Sequence, residues 1–386
     1  MAEPLFQSFL LAGFECSSHR RADGRRLDLL SATGHDRWAA SDYRHISELG
    51  LRTARDGLRW HLVERIPGHY DWSSFLPMLD AAEEAGVQVI WDLCHYGWPD
   101  DIDFWSPAFV DRFARFAAAA AGLVRDRSGR PAWYCPINEI SFWAWAGGDQ
   151  GRINPCAFGR GAEVKRQLVR AWIAAVDAIR EVDPSARFTS AEPLIHVTSG
   201  SQDPQHIYQA EEYRLFQYEA LDMVTGRREP ELGGRPDCLN LLGLNFYPDN
   251  QWYFDGPPIP LGHHAYRPLG DMIADAARRF GVPVFLAETG AEGSARASWL
   301  HYVLEEVAHA VEAGVPVEGV CLYPVLDYPG WDNDRMCQVG LLSTADAEGR
   351  RDVHGRLLRE MERQVPGLKQ QRDAARRHFA HEGARS

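Results

Sequence analysis

A chain of 386 residues, 45% of them apolar and 25% charged, can bury a sizeable core as one large barrel or two smaller domains, which excludes disorder. A formal net charge of -13 argues against nucleic acid or an anionic membrane surface as the main partner, and no apolar stretch is long enough to span a bilayer. The apolar run Phe9 to Ala12 lacks the basic flank of a secretion signal, and seven cysteines without a C-x-x-C read as buried thiols, so the expectation is a soluble cytoplasmic protein with no metal or other cofactor.

In chain order, short apolar runs alternate with amphipathic segments. Leu10 to Glu15 predicts a first strand, followed by the Arg-rich loop His19 to Asp28 and a helix from Trp38 to Leu49 that stops at Gly50. Arg52 to Asp56 is the second strand, with a helix over Phe75 to Glu84. Val87 to Cys94 is the third, ending on the rim His95-Tyr96-Gly97-Trp98-Pro99, and Phe109 to Val124 is helical. Ala132 to Glu139 begins apolar and ends on Asn138 and Glu139, where a buried strand opens into solvent.

The same rhythm continues through a helix over Glu163 to Val182 and a strand over Arg187 to Val197. A helix over Gln205 to Val224 follows, with Tyr208, Leu215, Tyr218 and Leu221 on one face. Leu239 to Tyr247, Val282 to Ala287 and Gly319 to Val325 complete the strands; Leu269 to Phe280, Trp299 to Ala313 and Val353 to Val365 complete the helices. Alternation of this kind requires parallel strands with right-handed crossovers, and eight units close into a single α/β (β/α)8 TIM barrel over residues 1–370. An open doubly wound sheet would bring a phosphate-binding glycine turn, which is missing. Residues 371–386 form a charged tail expected to fray.

In such a barrel the functional surface lies at the C-terminal strand ends. These carry Glu15, Arg55 with Asp56, His95, Asn138 with Glu139, Glu192 with His196, Asn245 with Tyr247, Glu288 and Asp327, with Trp98, Tyr323 and Trp331 nearby. Several carboxylates among aromatics and amides suit a neutral polyhydroxylated ring, and glycoside hydrolysis needs two carboxyl groups. Glu192 is a rival for one of those places. His263-His264 lacks a spaced third ligand for a metal.

Tyr134 to Ile140 resembles the acid/base strand of the (β/α)8 glycoside hydrolases with catalytic glutamates after strands four and seven, and Pro283 to Gly290 resembles their nucleophile strand. The chain is most similar to glycoside hydrolase family 1, the β-glucosidase-like enzymes. Leu93 to Pro99 resembles the strand-three histidine motif, Gly243 to Tyr247 the strand-six tyrosine motif, and Leu326 to Leu341 the strand-eight region. The similarity runs from about Gly13 to Leu342.

The resemblance implies a retaining β-glycosidase acting on a small glycoside or oligosaccharide. Glu139 would be the acid/base and Glu288 the nucleophile, about 5–5.5 Å apart. Arg55 and Tyr247 would hold Glu288, while Asn138 and His95 would bind sugar hydroxyls. Transglycosylation by the same pair, and a catalytically idle barrel that binds carbohydrate, are the alternatives. The chain departs from the family where the sugar is recognised: Ser18-His19-Arg20-Arg21 stands where a glutamine is expected, and Gly330 precedes Trp331 where a glutamate is usual. Either Asp327, Asp332 or Asp334 takes over hydroxyl contacts, or Arg20, Arg21 and Arg25 accept an anionic group such as a uronate or phosphate.

Overall fold

The computed structural model describes residues 4–383, with side chains as far as Asp373. Eight parallel strands carry the fold: β1 (Leu10–Gly13), β2 (Thr53–Gly57), β3 (Gln88–Asp92), β4 (Trp133–Cys135), β5 in two pieces (Arg187–Phe188 and Glu192–Pro193), β6 (Leu242–Asn245), β7 (Val284–Thr289) and β8 (Val317–Leu322). Each pairs with its neighbour, and β8 pairs with β1 in the register Leu10 to Val320. The two edges of this sheet are the two pieces of β5, so the barrel closes through residues 189–191. Bonds from Thr189 N to Tyr134 O and from Leu241 N to Phe188 O span that join.

Alternation along the strands sorts the side chains into two apolar layers. Leu11, Ile90, Trp133, Ala191, Phe285 and Cys321 fill the barrel, and Phe6 plugs its lower end against Trp133 and Phe285. Leu10, Ala54, Val89, Trp91, Leu244, Leu286 and Val320 face the surrounding helices. In the helix Pro107–Arg127, Phe109, Phe113, Phe116, Ala120 and Val124 repeat at three and four residues and are all buried, with Pro107 starting the first turn. Gly13 lets β1 and the end of β8 approach: a Cβ there would lie 2.2 Å from the Tyr323 ring.

Several elements differ from their sequence-based expectations. The fifth strand is broken because residues 189–191 serve as the closing join, and its expected end, His196–Thr198, instead pairs with Gln251–Tyr253 outside the barrel. The single helix expected over Gln205 to Val224 is split into Pro204–Leu215 and Glu219–Val224. Tyr208 and Leu215 are exposed, whereas Tyr218 and Leu221 are buried. The last helix runs Gly355–Gly383, so the boundary expected at residue 370 falls inside it. Arg372 is buried there, over the Phe9 ring and donating to the Glu318 carbonyl; residues 384–386 lie outside the described part. No helix among the described residues is long and apolar enough to cross a membrane.

Candidate active site

At the C-terminal mouth of the barrel, Arg55 is the hub. It points inward from β2 and is fully buried, while its neighbour Asp56 points outward to His35 and Tyr43. Its five N–H donors all find acceptors. Nε and Nη2 grip Asp92 (2.9 and 2.6 Å), Nη2 also donates to Asn138 Oδ1 (2.5 Å), and Nη1 donates to Glu288 Oε1 (2.6 Å) and the Ala287 carbonyl (3.3 Å). Tyr323 lies beneath the guanidinium, 5.1 Å from its ring centre. Burial alone would raise the Asp92 carboxyl, but the charge of Arg55 holds it below its ordinary range.

Glu288 reaches this hub through an irregularity in β7. Ala287 already faces the barrel interior, so strict alternation would send Glu288 toward the helices. The register against β6 shifts between Leu286 and Glu288, a bulge-type step that turns the carboxylate inward. Tyr247 OH donates to its second oxygen at 2.9 Å.

Glu139 stands on β4's exit with a left-handed backbone, φ 42°, at the start of the short helix Ile140–Trp143. For a residue with a Cβ this conformation is costly and must be held by its surroundings. The hold comes from β5: Glu192 accepts the Ile140 and Ser141 N–H groups at 2.5 and 3.1 Å, while Glu139 N donates to the Ala191 carbonyl. Glu192 is therefore the clamp on the helix start, and both its oxygens are occupied in that task. Asn245 donates to Glu139 Oε1 at 2.8 Å, and Tyr96 OH to Oε2 at 2.5 Å. Tyr96, φ 66°, is also left-handed, and its hydroxyl accepts from Asn138 Nδ2. A continuous chain of hydrogen bonds thus runs from Glu139 through Tyr96, Asn138 and Arg55 to Glu288.

The two glutamates are held unequally. Burial, then the charge of Glu288, pushes Glu139 up to about 8, against smaller opposing contributions from Tyr96 and Asn245. Burial also raises Glu288, but Arg55 pulls it back, so of this coupled pair Glu288 gives up its proton first. Glu192 is raised to about 7 by burial, against the N–H bonds it accepts.

Of the residues singled out in the sequence, Arg55, Asn138, Glu139, Tyr247 and Glu288 converge directly. His95 joins them from the side: Nδ1 faces Asp92 Oδ2 at 3.1 Å, and Nε2 accepts from Asn138 Nδ2 at 3.0 Å. Arg55 fixes the orientation of that amide, so both imidazole nitrogens are engaged within the protein. Trp331 packs edge-on to His19 and Tyr96. Trp98, Arg20 and Asp327 lie outside the cluster. Trp98 is buried and stacked on Trp143, Arg20 is paired with Asp100, and Asp327 accepts the Gly340 N–H.

Asp92, Tyr96 and Asn245 carry much of the geometry without having been assigned a task from the sequence. Asp92 was legible as the inward residue two before Cys94, and Tyr96 lies inside the histidine motif. Among the described residues one group brings potential metal ligands within 4.8 Å of one another: Cys16, Asp92 and His95. Both Asp92 oxygens already face Arg55, whose charge opposes a cation there.

No protein-family model matches the sequence, and no curated protein does. The structure, by contrast, superposes on solved glycosidases over nearly its whole length. The family 1 β-glucosidase from Thermotoga maritima covers 96% of this chain and 99% of its own, with a TM-score of 0.76 and 15% identity. The fold is that of a family 1 β-glucosidase. The AHE enzyme from Alicyclobacillus herbarius is similar at TM-score 0.77 and 17% identity, covering 95% and 99%. The Thermotoga maritima enzyme in complex with isofagomine lactam matches at TM-score 0.74 and 16% identity, covering 94% and 98%.

Proposed function

We propose that the protein is a retaining β-glycosidase that needs no cofactor. The observation that carries this reading is the unequal hold on two buried glutamates at one barrel mouth. Glu288, against a guanidinium and a phenol, is the group kept ionised to attack an anomeric carbon. Glu139, buried and facing that negative charge, is the group kept protonated near neutral pH to give its proton to the departing oxygen. Once Glu288 is esterified by the sugar its charge is gone, the Glu139 carboxyl becomes a stronger acid, and the resulting carboxylate activates water. The barrel fold shared with β-glucosidases supports the same reading.

Incubation with activated 2-deoxy-2-fluoro β-glycosides, followed by peptide mass mapping, tests it. The expected result is a stable sugar adduct on Glu288. An adduct on Glu192, or slow hydrolysis with inversion and no adduct, would overturn the assignment.

A further inference from the structure

The loop after β1 was the place where an anionic group had been one expectation, and its arginines are already neutralised. Arg20 and Arg26 both pair with Asp100, Arg25 pairs with Asp334, and Arg21 pairs with Asp23 while donating to the Trp331 carbonyl. The loop residue left facing inward is His19. It is fully buried, and neither of its ring nitrogens has a hydrogen-bond partner among the described residues.

Its neighbours make that exception informative. The His19 ring lies 4.6 Å from Trp331 and 5.9 Å from Tyr96, both edge-on, and Tyr96 is the residue bonded to Glu139. The Trp331 Nε1 beside it is likewise buried without a partner. Three polar atoms on adjoining rings, left unpaired beside the tyrosine that is bonded to Glu139, are costly unless something takes their hydrogen bonds. A neutral imidazole offers one N–H and one bare nitrogen, and an indole offers one N–H; a hydroxyl, which both donates and accepts, complements this set.

We propose that His19 is a specificity-determining residue that binds a hydroxyl of an uncharged sugar ring, with Trp331 Nε1 donating beside it, so that uronates and phosphosugars are rejected. The proposal rests on the glycosidase reading of Glu139 and Glu288. Burial, then the nearby His95 and arginines, lowers His19 to about 3, so it carries no charge for an anion at neutral pH.

The test compares wild type with His19→Phe, which keeps the ring against Trp331 and deletes both nitrogens, and with His19→Asn, which restores hydrogen bonding. The substrates are aryl β-glucoside, galactoside, mannoside, glucuronide and 6-phosphoglucoside, then 3-, 4- and 6-deoxy analogues of the best one. His19→Phe is expected to lose about 10- to 100-fold in kcat/KM on the parent sugar, with partial recovery in His19→Asn. On the one deoxy analogue that lacks the bound hydroxyl, the loss should shrink to about threefold or less. An equal loss on every analogue, no loss at all, or a wild-type preference for the glucuronide or phosphosugar overturns the role of His19. Labelling of wild-type Glu288 separates the two readings: adduct formation with no effect at His19 refutes this proposal alone, whereas no adduct and no turnover of any substrate refutes both.

Discussion

Replacing Tyr96 with phenylalanine tests how the Glu139–Glu288 pair is tuned. The substitution keeps the ring packed among His19, Trp143 and Trp331 and removes a single hydroxyl, the one that donates to Glu139 Oε2 at 2.5 Å and accepts from Asn138 at 2.8 Å. A hydrogen bond donated to a carboxylate favours the ionised form, and charge-assisted bonds of this kind contribute about 1.5–3 kcal/mol. At about 1.36 kcal/mol per pKa unit, losing it should raise Glu139 by one to two units above its value of about 8. The sign is definite: the protonated acid persists to higher pH. In a pH profile of kcat/KM on an aryl glycoside with a poor leaving group, the alkaline limb of Tyr96→Phe should therefore move upward. A limb that stays in place or moves to lower pH would show that the Tyr96 hydroxyl does not donate to Glu139.

Glu139 also ties stability to pH. Its folded-state value of about 8 lies above the ordinary 4.5, so between those values the folded protein keeps a proton the unfolded chain has released, and stability falls as pH rises. Thermal melts should show Glu139→Gln more stable than wild type by about 2–4 kcal/mol at pH 8 and indistinguishable from it at pH 4; equal gains at both would contradict a proton-linked cause. Glu192→Gln should unfold about 1–3 kcal/mol more easily in urea and lose activity with Glu139 intact, because the amide cannot accept both N–H groups of the helix start. Unchanged turnover would remove Glu192 from the support of the site. The Arg25–Asp334 pair, half exposed on both sides, should show no resolvable coupling in a double-mutant cycle, and a clear coupling would mean that the two loops are locked more firmly than exposure allows.

The barrel was legible because strand and helix periodicities differ and alternate through the chain. Strand ends then named the residues of the mouth without any knowledge of their contacts. What stayed hidden were departures from regularity. The step in β7 that turns Glu288 inward leaves no mark on the residues Leu286-Ala287-Glu288, and the left-handed turn at Glu139 requires a carboxylate 53 residues later in the chain. Glu192 stood out as a rival catalyst because a strand-end glutamate looks the same whether it faces a ligand or a pair of backbone N–H groups. Trp98 read as a rim aromatic because sequence position marks the rim but not whether the ring is open or packed against neighbours, here Phe104, Phe109 and Trp143. The partners of the loop arginines, Asp100 and Asp334, are separated from them by 74 to 309 residues, beyond any local pattern.

The clamp at Glu192 bears on how such a site could be rebuilt elsewhere. A designer who grafts an Asn-Glu dipeptide onto the fourth strand of another barrel transfers the carboxyl group but not the backbone that aims it. Without a carboxylate on the neighbouring strand to hold the next two N–H groups, the chain would relax to an ordinary right-handed conformation, and the glutamate would swing out of reach of its partner. The unit to transplant is the pair of adjacent strand ends.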